Sequence, residues 1–368
     1  MISNIQIIEA TYDYETLKSK IYDILESYGL DRIKSGHSVL IKPNLLLSAS
    51  WQMGITTHPL IVKAVSEFAL SLGAKVQISD SPAIGTFRKI LRHGGYEEAL
   101  EGLDVKIAPF KDSEKINIGD PFGLVEVARE AVHADYIINL AKLKSHTQTL
   151  LTLGVKNMFG CIVGLRKPQW HLRAGADREM FARFLVRLYE SLRPDVTIVD
   201  GILALEGLGP GKGGRPRELG MLIGGINAHS VDKTICTLLG VPPINLATVE
   251  QAQLLGVFDG EAHITGHMRI IDDFELPDLG PLTFGSDRFS RLSRRFLIQR
   301  PVPMNHRCKL CGECWKICPA KVIAHNDKGI HVDYLNCIRC YCCVEVCPYG
   351  AMVAKQPMIG QLLSKISP

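Results

Sequence analysis

Residues 305–350 read NHRCKLCGECWKICPAKVIAHNDKGIHVDYLNCIRCYCCVEVCPYG. This stretch contains nine of the eleven cysteines of a 368-residue chain, in two runs of the pattern C-x2-C-x2-C-x3-C-P separated by 18 residues. A disulfide framework would distribute its cysteines along the chain, whereas only Cys161 and Cys236 lie elsewhere. The pattern therefore indicates thiolates that bind metal, and it governs how the last quarter of the chain folds.

Each run matches the arrangement in which three close thiolates bind one 4Fe-4S cluster and the fourth binds the neighbouring cluster. We therefore predict one cluster on Cys308, Cys311, Cys314 and Cys347, and a second on Cys337, Cys340, Cys343 and Cys318. Pairs of C-x2-C also bind zinc, but the third cysteine and the x3-C-P ending have no use in a zinc ribbon. Cys342 is surplus, and we expect it to pack beside the ligands, although it could replace one of them.

Residues 305–350 resemble the two-cluster bacterial ferredoxins, because all eight ligand positions match. The resemblance implies a small antiparallel, pseudo-twofold α+β module whose two clusters are close enough for electrons to pass between them. We therefore expect two 4Fe-4S clusters as cofactors and a redox partner protein as electron donor or acceptor.

Composition and charge exclude several other classes of protein. A net charge of +4, without a helix-turn-helix pattern or a concentrated basic stripe, argues against nucleic-acid binding. The chain has no secretory signal and no uncharged apolar stretch of the roughly 18 residues that a transmembrane helix needs. We therefore predict a cytoplasmic protein.

Residues 1–274 alternate between strand and helix patterns. Predicted strands cover 5–8, 39–41, 76–79, 105–108, 136–140, 196–199 and 221–224, and predicted helices cover 14–28, 58–72, 177–192 and 230–239. The alternation predicts an α/β domain with a mostly parallel sheet and helices on both faces. The predicted domain limits are 1–274 for this domain, 275–304 for a linker, 305–350 for the ferredoxin module and 351–368 for a tail.

Polar side chains follow several predicted strands, at the edge where parallel sheets bind ligands. We predict His146 and Lys144 as catalytic residues, since positive neighbours would keep His146 neutral, as a general base requires. The predicted substrate-binding residues are Lys42, Asn44, Asp80, Lys142, Lys156, Asn157, Asp200, Gly209 and Gly211. His58 and His171 are further candidates for proton transfer, although His58 precedes a proline at a helix start. Asp80 and Asp200 could instead be turn or cap residues.

The loop at residues 206–214 is rich in glycine but lacks the order of a nucleotide P-loop. It could hold an anion on its backbone N–H groups or act as a mobile lid. The chain also lacks the G-x-G-x-x-G fingerprint of dinucleotide-binding folds. It has neither a serine nucleophile elbow nor an H-E-x-x-H zinc helix, so hydrolysis has little support.

Four elements carry a second resemblance: Lys42-Pro43-Asn44, residues 142–146, residues 154–160, and Asp200-Gly201 with the glycine-rich loop behind it. Together they resemble the family called domain of unknown function 362, over about residues 35–260. The resemblance implies the α/β fold and its pairing with a ferredoxin module, but it implies no substrate.

Residues 288–296 carry Phe289, Leu292 and Phe296 at helical spacing among four arginines. Such a segment could lie on a membrane surface or bind an acidic partner, but we expect it to pack the two domains together.

The sequence as a whole predicts a ferredoxin-coupled oxidoreductase. It would pass electrons from two 4Fe-4S clusters to an unknown small anionic substrate or cofactor in the α/β domain. The alternative is an electron carrier or scaffold whose α/β domain docks a partner protein. A cluster that senses oxygen or iron would require a DNA-binding domain, for which the sequence gives no support.

Overall fold

The computed structural model describes residues 3–82, 85–164, 166–175, 177–279, 299–327 and 329–357. The amphipathic segment 288–296 predicted in the linker lies outside these residues, and so does the end of the predicted tail.

The described strands are β1 (Ser3–Glu9), β2 (Ser38–Pro43), β3 (Lys75–Ile78), β4 (Val105–Ile107), β5 (Ser113–Asn117), β6 (Leu124–Ala128), β7 (Tyr136–His146), β8 (Leu150–Thr152), β9 (Val196–Gly207), β10 (Gly214–Gly225), β11 (Ala262–Gly266), β12 (Arg300–Pro303), β13 (Ile323–Asn326), β14 (Gly329–Val332) and β15 (Met352–Lys355).

The described helices are α1 (Tyr14–Ser27), α2 (Pro59–Ser71), α3 (Phe87–His93), α4 (Tyr96–Ala99), α5 (Arg129–His133), α6 (Gly154–Asn157), α7 (Arg166–Ala174), α8 (Arg178–Leu192), α9 (Ala228–Leu238), α10 (Ala247–Leu254), α11 (Glu313–Ile317) and α12 (Cys342–Glu345). Short 3-10 turns cover Leu30–Arg32, Trp51–Met53, Met158–Cys161 and Pro243–Asn245.

The central sheet has the strand order β11-β1-β10-β9-β7-β2-β3-β4, and β8 pairs with the end of β7. Strands β9, β7, β2, β3 and β4 run parallel, as do β1 and β11, whereas β10 is antiparallel to both of its neighbours. The prediction of a mostly parallel α/β sheet is confirmed.

Helices cover both faces of this sheet, because successive residues of a strand point to opposite sides. In β2, Val39 and Ile41 pack into the core that α1 and α2 cover, whereas Leu40 packs into the core that α8 and α9 cover. Strands buried on both sides need apolar residues in sequence, which is why the strand patterns in the sequence were continuous rather than alternating.

Three strands extend well beyond their predicted limits, and this changes where the polar residues lie. Residues 142–146, predicted to follow a strand, form the last part of β7. Strands β9 and β10 form a hairpin whose turn is residues 208–213, since Gly207 pairs with Gly214. The glycine-rich loop is therefore mostly a hairpin turn above the sheet.

The ferredoxin module is closed by β12 and β15, which pair in antiparallel fashion. Residues 300–303 of the predicted linker are therefore paired with residues 352–355 of the predicted tail. Pro301 and Pro303 suggested a linker, but proline is tolerated in edge strands, and a two-stranded sheet has only edges.

Candidate functional site

The eight predicted ligand cysteines surround two small cavities, four at each. Cys308, Cys311, Cys314 and Cys347 line the first cavity, and Cys318, Cys337, Cys340 and Cys343 line the second. Each cavity takes three cysteines from one run and the fourth from the other, which is the grouping that the spacing predicts. The surplus Cys342 also lines the second cavity.

Backbone geometry around the thiols suits a bound cluster. In each run a left-handed residue stands on either side of the second cysteine: Leu310 and Gly312 (φ 49° and 93°), and Arg339 and Tyr341 (φ 60° and 56°). Tyr341 has this left-handed conformation although it is not a glycine. Its buried hydroxyl donates a hydrogen bond to the Gln299 carbonyl at 2.7 Å. This repeated conformation curves each loop around its cavity.

Two backbone N–H groups donate to cysteine sulfurs, from Leu310 to Cys308 Sγ at 3.4 Å and from Ala351 to Cys347 Sγ at 3.1 Å. No three of the described His, Cys, Asp and Glu side chains are grouped to hold a single metal ion. Thiols of a 4Fe-4S site stand farther apart than those of a zinc site, since each binds a different iron of the cluster. The residues therefore fit two 4Fe-4S clusters.

A third cavity, of about 210 Å³, lies between the α/β domain and the ferredoxin module. The α/β domain contributes four lysines to its wall: Lys42, Lys144, Lys156 and Lys167. The ferredoxin module contributes Ile317, Cys342, Glu345 and Val346, each of which lies within two residues of a predicted ligand cysteine in the sequence. We call this space the interdomain cavity.

Lys42 and Asp80 form a buried ion pair at the end of β2. Lys42 Nζ lies 2.9 Å from Asp80 Oδ1, and Asp80 Oδ2 accepts the N–H of Leu45 at 2.8 Å. Burial opposes ionisation of Asp80, but Lys42, Lys167 and the Leu45 N–H together outweigh it, so the pKa of Asp80 is lowered. Gly160 packs directly on this pair, where any side chain would collide with both partners.

Two asparagines link this ion pair to Lys144. Asn157 Oδ1 accepts from Asn44 Nδ2 at 2.8 Å and from Lys42 Nζ at 3.4 Å. Asn44 Oδ1 in turn accepts from Lys144 Nζ at 2.7 Å, and the Ile55 carbonyl accepts from the same nitrogen at 2.9 Å. Both partners of Lys144 are neutral. Burial, with Lys156 nearby, lowers its pKa to about 7.

His146 joins the two domains through Glu345. Its Nδ1 accepts the backbone N–H of Gln148 at 3.0 Å and that of Thr149 at 3.4 Å, so the proton of the neutral ring is on Nε2. Nε2 lies 2.9 Å from Glu345 Oε1. Burial and Lys156 lower the pKa of His146 to about 4. The pair is therefore a neutral imidazole in close contact with a carboxylate, without the geometry of a full hydrogen bond.

The comparisons with known proteins agree with this organisation. The family model described as "Domain of unknown function (DUF362)" matches residues 39–237, and a 4Fe-4S dicluster domain matches residues 300–348. The chain belongs to the DUF362 family. The second match shows that this DUF362 protein carries an iron-sulfur module of the ferredoxin type.

One relative shares nearly the whole architecture. The thylakoid-associated protein sll1697 of Synechocystis sp. is 35% identical over 300 residues, which cover 79% of this chain and 93% of that protein. Electron transport protein HydN of Escherichia coli is 40% identical over 55 residues, 14% of this chain and 31% of HydN. The HydN match supports a role in electron transfer for the ferredoxin module.

A solved structure, the lactate racemase apoprotein from Thermoanaerobacterium thermosaccharolyticum, aligns over 61% of this chain and 54% of its own. The TM-score is 0.41 at 11% identity, which carries no argument about function. Within the described ranges, no helix of this DUF362 protein combines the length and apolar character that crossing a bilayer requires.

The structure brings most of the predicted site residues together at the interdomain cavity. Lys42, Asn44, Asp80, Lys144, His146, Lys156 and Asn157 all line it. Gly209 and Gly211 flank Pro210, which lines it too, but they pack closely against Ser145 and the Glu345 carbonyl. Because these glycines have no side chains, the hairpin turn can approach Ser145 of the α/β domain and Glu345 of the ferredoxin module.

Lys142 and Asp200 lie in a separate buried network of the DUF362 domain. Lys142 Nζ is 2.7 Å from Asp200 Oδ2, and Tyr12 donates its hydroxyl proton to Asp200 Oδ1 at 2.8 Å. His58 stacks on Tyr12, with ring centroids 3.6 Å apart, and caps α2 by accepting the N–H of Leu60. Neither Lys142 nor Asp200 is among the residues that line the interdomain cavity.

Several cavity residues were absent from the predicted binding set, among them the polar residues Thr152, Lys167 and Glu345. Lys167 lies in α7 and donates to the Ser81 carbonyl, whereas Glu345 belongs to the ferredoxin module. No strand-end pattern marks these positions. The fold of the α/β domain brings Thr152 and Lys167 to the cavity, and the docking of the ferredoxin module brings Glu345.

Proposed function

We propose that this protein is a ferredoxin-coupled oxidoreductase that delivers electrons to a small anionic ligand in the interdomain cavity. One observation carries the proposal: the same cavity is lined by four lysines of the α/β domain and by residues of the iron-sulfur module. Cys342 and Glu345 of that module flank the proposed ligand Cys343 in sequence. A ligand in this cavity would lie beside a redox centre.

The proposed cluster ligands are the two sets of four cysteines around the two small cavities. When bound, the 4Fe-4S clusters supply the protein with centres that accept and donate single electrons. Cys342 is left outside both sets, although it lines the second cavity and the interdomain cavity.

Lys144 is the residue that we propose to hold and move a proton. Reduction of an organic anion consumes protons as well as electrons, so the site needs a donor near neutral pH. The pKa of Lys144 is about 7. Its two hydrogen-bond partners, Asn44 Oδ1 and the Ile55 carbonyl, are both acceptors, and the neutral amine can still donate a hydrogen bond to each of them. Lys144 can therefore lose its third proton without breaking either bond.

His146 is better suited to positioning than to proton transfer. Two backbone N–H groups occupy its Nδ1, and its Nε2 faces the carboxylate of Glu345. A second proton on the ring would displace the backbone donors. We therefore propose that His146 holds Glu345, and with it helix α12, against the α/β domain.

A partner protein would dock beside the first cysteine set. Cys311 of this set is exposed, whereas Cys337, Cys340 and Cys343 of the second set are buried. Around Cys311 lie the exposed Leu310 and Tyr349, at 42% and 49% exposure. The exposed side chains of Arg307, Lys309 and Lys316 lie close by in sequence and favour an acidic electron carrier.

Anaerobic purification followed by iron, sulfide and mass-spectrometric analysis tests the proposal. We expect about eight irons per chain, two paramagnetic signals after reduction with dithionite, and a retained small anion. Adding that anion to the reduced protein should reoxidise the clusters. If the reduced protein reacts only with partner proteins and never with a small molecule, the electron-carrier function replaces this one.

Cysteine variants test the ligand assignment separately. Cys343→Ala should lose about four irons per chain, because it removes a ligand of the second set. Cys342→Ala, one residue away, is the matched control and should keep its full iron content. Loss of iron from Cys342→Ala but not from Cys343→Ala would contradict the assignment.

A further inference from the structure

We infer that the interdomain cavity binds a small dianion, an organic molecule with two anionic oxygen groups, through Lys144, Lys156, Thr152 and His171. The inference rests on the proposed function, because it names the ligand class of the same cavity.

The charges around the cavity do not balance without a ligand. Four lysines line it, but only two carboxylates do, those of Asp80 and Glu345. With both histidines neutral and all four lysines charged, the side chains of the wall carry an excess of two positive charges. Lys144 is only partly charged near pH 7 without a ligand, and a bound anion would favour its charged form. Buried charges are costly unless they are paired, so a ligand with two negative charges would complete the site.

The two carboxylates are already engaged by other groups. Asp80 pairs with Lys42 and also attracts Lys167, which donates to the Ser81 carbonyl, and Glu345 lies against His146. Lys144 has only neutral acceptors. Among the residues that the structure describes, no hydrogen bond or ion pair reaches Lys156 Nζ, which lies 5.6 Å from the ring centre of Phe159. Lys144 and Lys156 are therefore the two lysines left for a ligand.

Four residues of the same wall have a buried polar atom without a hydrogen-bond partner: Thr152, His171, His146 and Glu345. The atoms of His146 and Glu345 face each other at 2.9 Å, so the other two point to a ligand. Thr152 Oγ1 and His171 Nδ1 have no hydrogen-bond partner, although the two residues are only 4% and 3% exposed. Both residues line the interdomain cavity. Buried polar atoms are nearly always paired in folded proteins, so these two are expected to bond a ligand.

The rest of the wall limits the size and kind of ligand. Leu46, Phe159, Pro168, Pro210 and Ile317 are apolar lining residues and suit a carbon skeleton between the anionic groups. The cavity volume of about 210 Å³ is below the range of roughly 300–1,000 Å³ that is typical of drug-sized ligands. A short dicarboxylate fits these limits, and a small phosphate ester has the same charge chemistry.

Calorimetric titration of the cluster-loaded full chain with defined anions tests the inference. The probes are acetate, malonate, succinate and inorganic phosphate at matched ionic strength and pH 7. We expect at least one dicarboxylate to bind about tenfold more tightly than acetate, as one further charged hydrogen bond would give.

Tighter binding of phosphate than of both dicarboxylates would assign the site to phosphate-bearing ligands and overturn the preference for a dicarboxylate. Equal binding of acetate and the dicarboxylates would overturn the inference.

Variants locate the binding. Lys156→Met should weaken dicarboxylate binding about tenfold, and Thr152→Val should weaken it by a smaller factor. Lys34→Met is the control, because Lys34 is exposed and precedes the amino end of β2, away from the cavity. If Lys156→Met does not fold, Lys156→Arg keeps the charge and should retain binding. Unchanged affinity in both Lys156→Met and Thr152→Val would place the anion elsewhere and contradict the inference.

The binding test is separable from the test of function. Affinity is measured at equilibrium, and electron transfer is measured by reoxidation of the reduced clusters. A dicarboxylate that binds but never reoxidises the clusters supports the dianion site and contradicts the oxidoreductase. Reoxidation by a neutral compound, with no anion bound, contradicts the dianion site and leaves the oxidoreductase standing.

Discussion

His146 Nε2 lies 2.9 Å from Glu345 Oε1, and this contact joins the last residue of β7 to the last residue of α12. Both side chains are nearly buried, at 1% and 11% exposure. The carboxylate sits between two proposed cluster ligands in sequence and faces the lysines of the other domain. The contact therefore fixes the relative position of the cavity walls.

Replacing His146 with Ala should destabilise the protein by about 3 kcal/mol, because it leaves a nearly buried carboxylate without the imidazole that lies against it. The measurement is urea unfolding of anaerobic, cluster-loaded protein, followed by circular dichroism and by cluster absorbance.

A matched pair near the surface provides the control. His133 Nε2 lies 2.8 Å from Glu114 Oε2, but these side chains are 59% and 34% exposed. His133→Ala should cost less than about 1 kcal/mol. Adding Glu345→Gln to His146→Ala should restore part of the lost stability, because it removes the negative charge of the carboxylate that has lost its partner. Equal losses in His146→Ala and His133→Ala would show that the contact has no structural role.

The fold was largely predictable because its signals are local. The cysteine spacing predicted which four cysteines surround each small cavity, since three of the four are near neighbours in sequence. The predicted helices 14–28, 58–72, 177–192 and 230–239 each coincide with a described helix to within two residues at either end. The strands at β7, β9 and β10 were predicted too short, because polar residues such as Lys144 and Glu206 continue them beyond their apolar parts.

The site was only partly predictable because it is made by domain packing. Lys144, Lys156 and His146 were candidates from their cationic sequence context. Glu345 and Thr152 carry no such signal, and only the docked module shows their role. Lys142 precedes Lys144 by two residues in the same strand, yet its amine pairs with Asp200, because the register between β7 and β9 shifts at this point.

Dicarboxylate affinity should depend on pH through Lys144. Its pKa of about 7 lies far below the ordinary value of 10.5, so the ammonium is present below pH 7 and is lost as the pH rises. Malonate affinity should therefore fall about tenfold between roughly pH 6.5 and 8.5. In Lys144→Met the affinity should be weaker below pH 7 and should fall less over this range, because only the other cavity lysines, such as Lys167 with a pKa of about 8, then titrate. A wild-type profile as flat as that of the variant would show that Lys144 does not bind the anion as a cation.

The free energy of unfolding should also depend on the protonation of Lys144, but it should increase with pH where the anion affinity decreases. Between pH 7 and 10.5 the unfolded chain binds a proton at Lys144 that the folded protein lacks. The free energy of unfolding of the ligand-free protein should therefore increase as the pH rises through this range, and Lys144→Met should reduce the increase. Denaturant titrations at pH 7 and pH 9 measure the difference. A larger increase in the variant than in the wild type would contradict the lowered pKa.

Charge reversal beside Cys311 should slow electron exchange with an acidic carrier protein. The double variant Arg307→Glu, Lys309→Glu replaces two exposed cations next to the proposed ligands Cys308 and Cys311. We expect the association rate with an acidic ferredoxin to fall about tenfold at low ionic strength, because opposite charges steer the encounter. The difference should shrink in high salt.

Stopped-flow reduction of the clusters measures the rate, and reduction by dithionite, which needs no docking surface, should stay close to that of the wild type. Lys34→Glu, at the far end of the sheet, is the control for net charge. If Lys34→Glu slows the carrier as much as the double variant does, docking beside the first cysteine set is excluded.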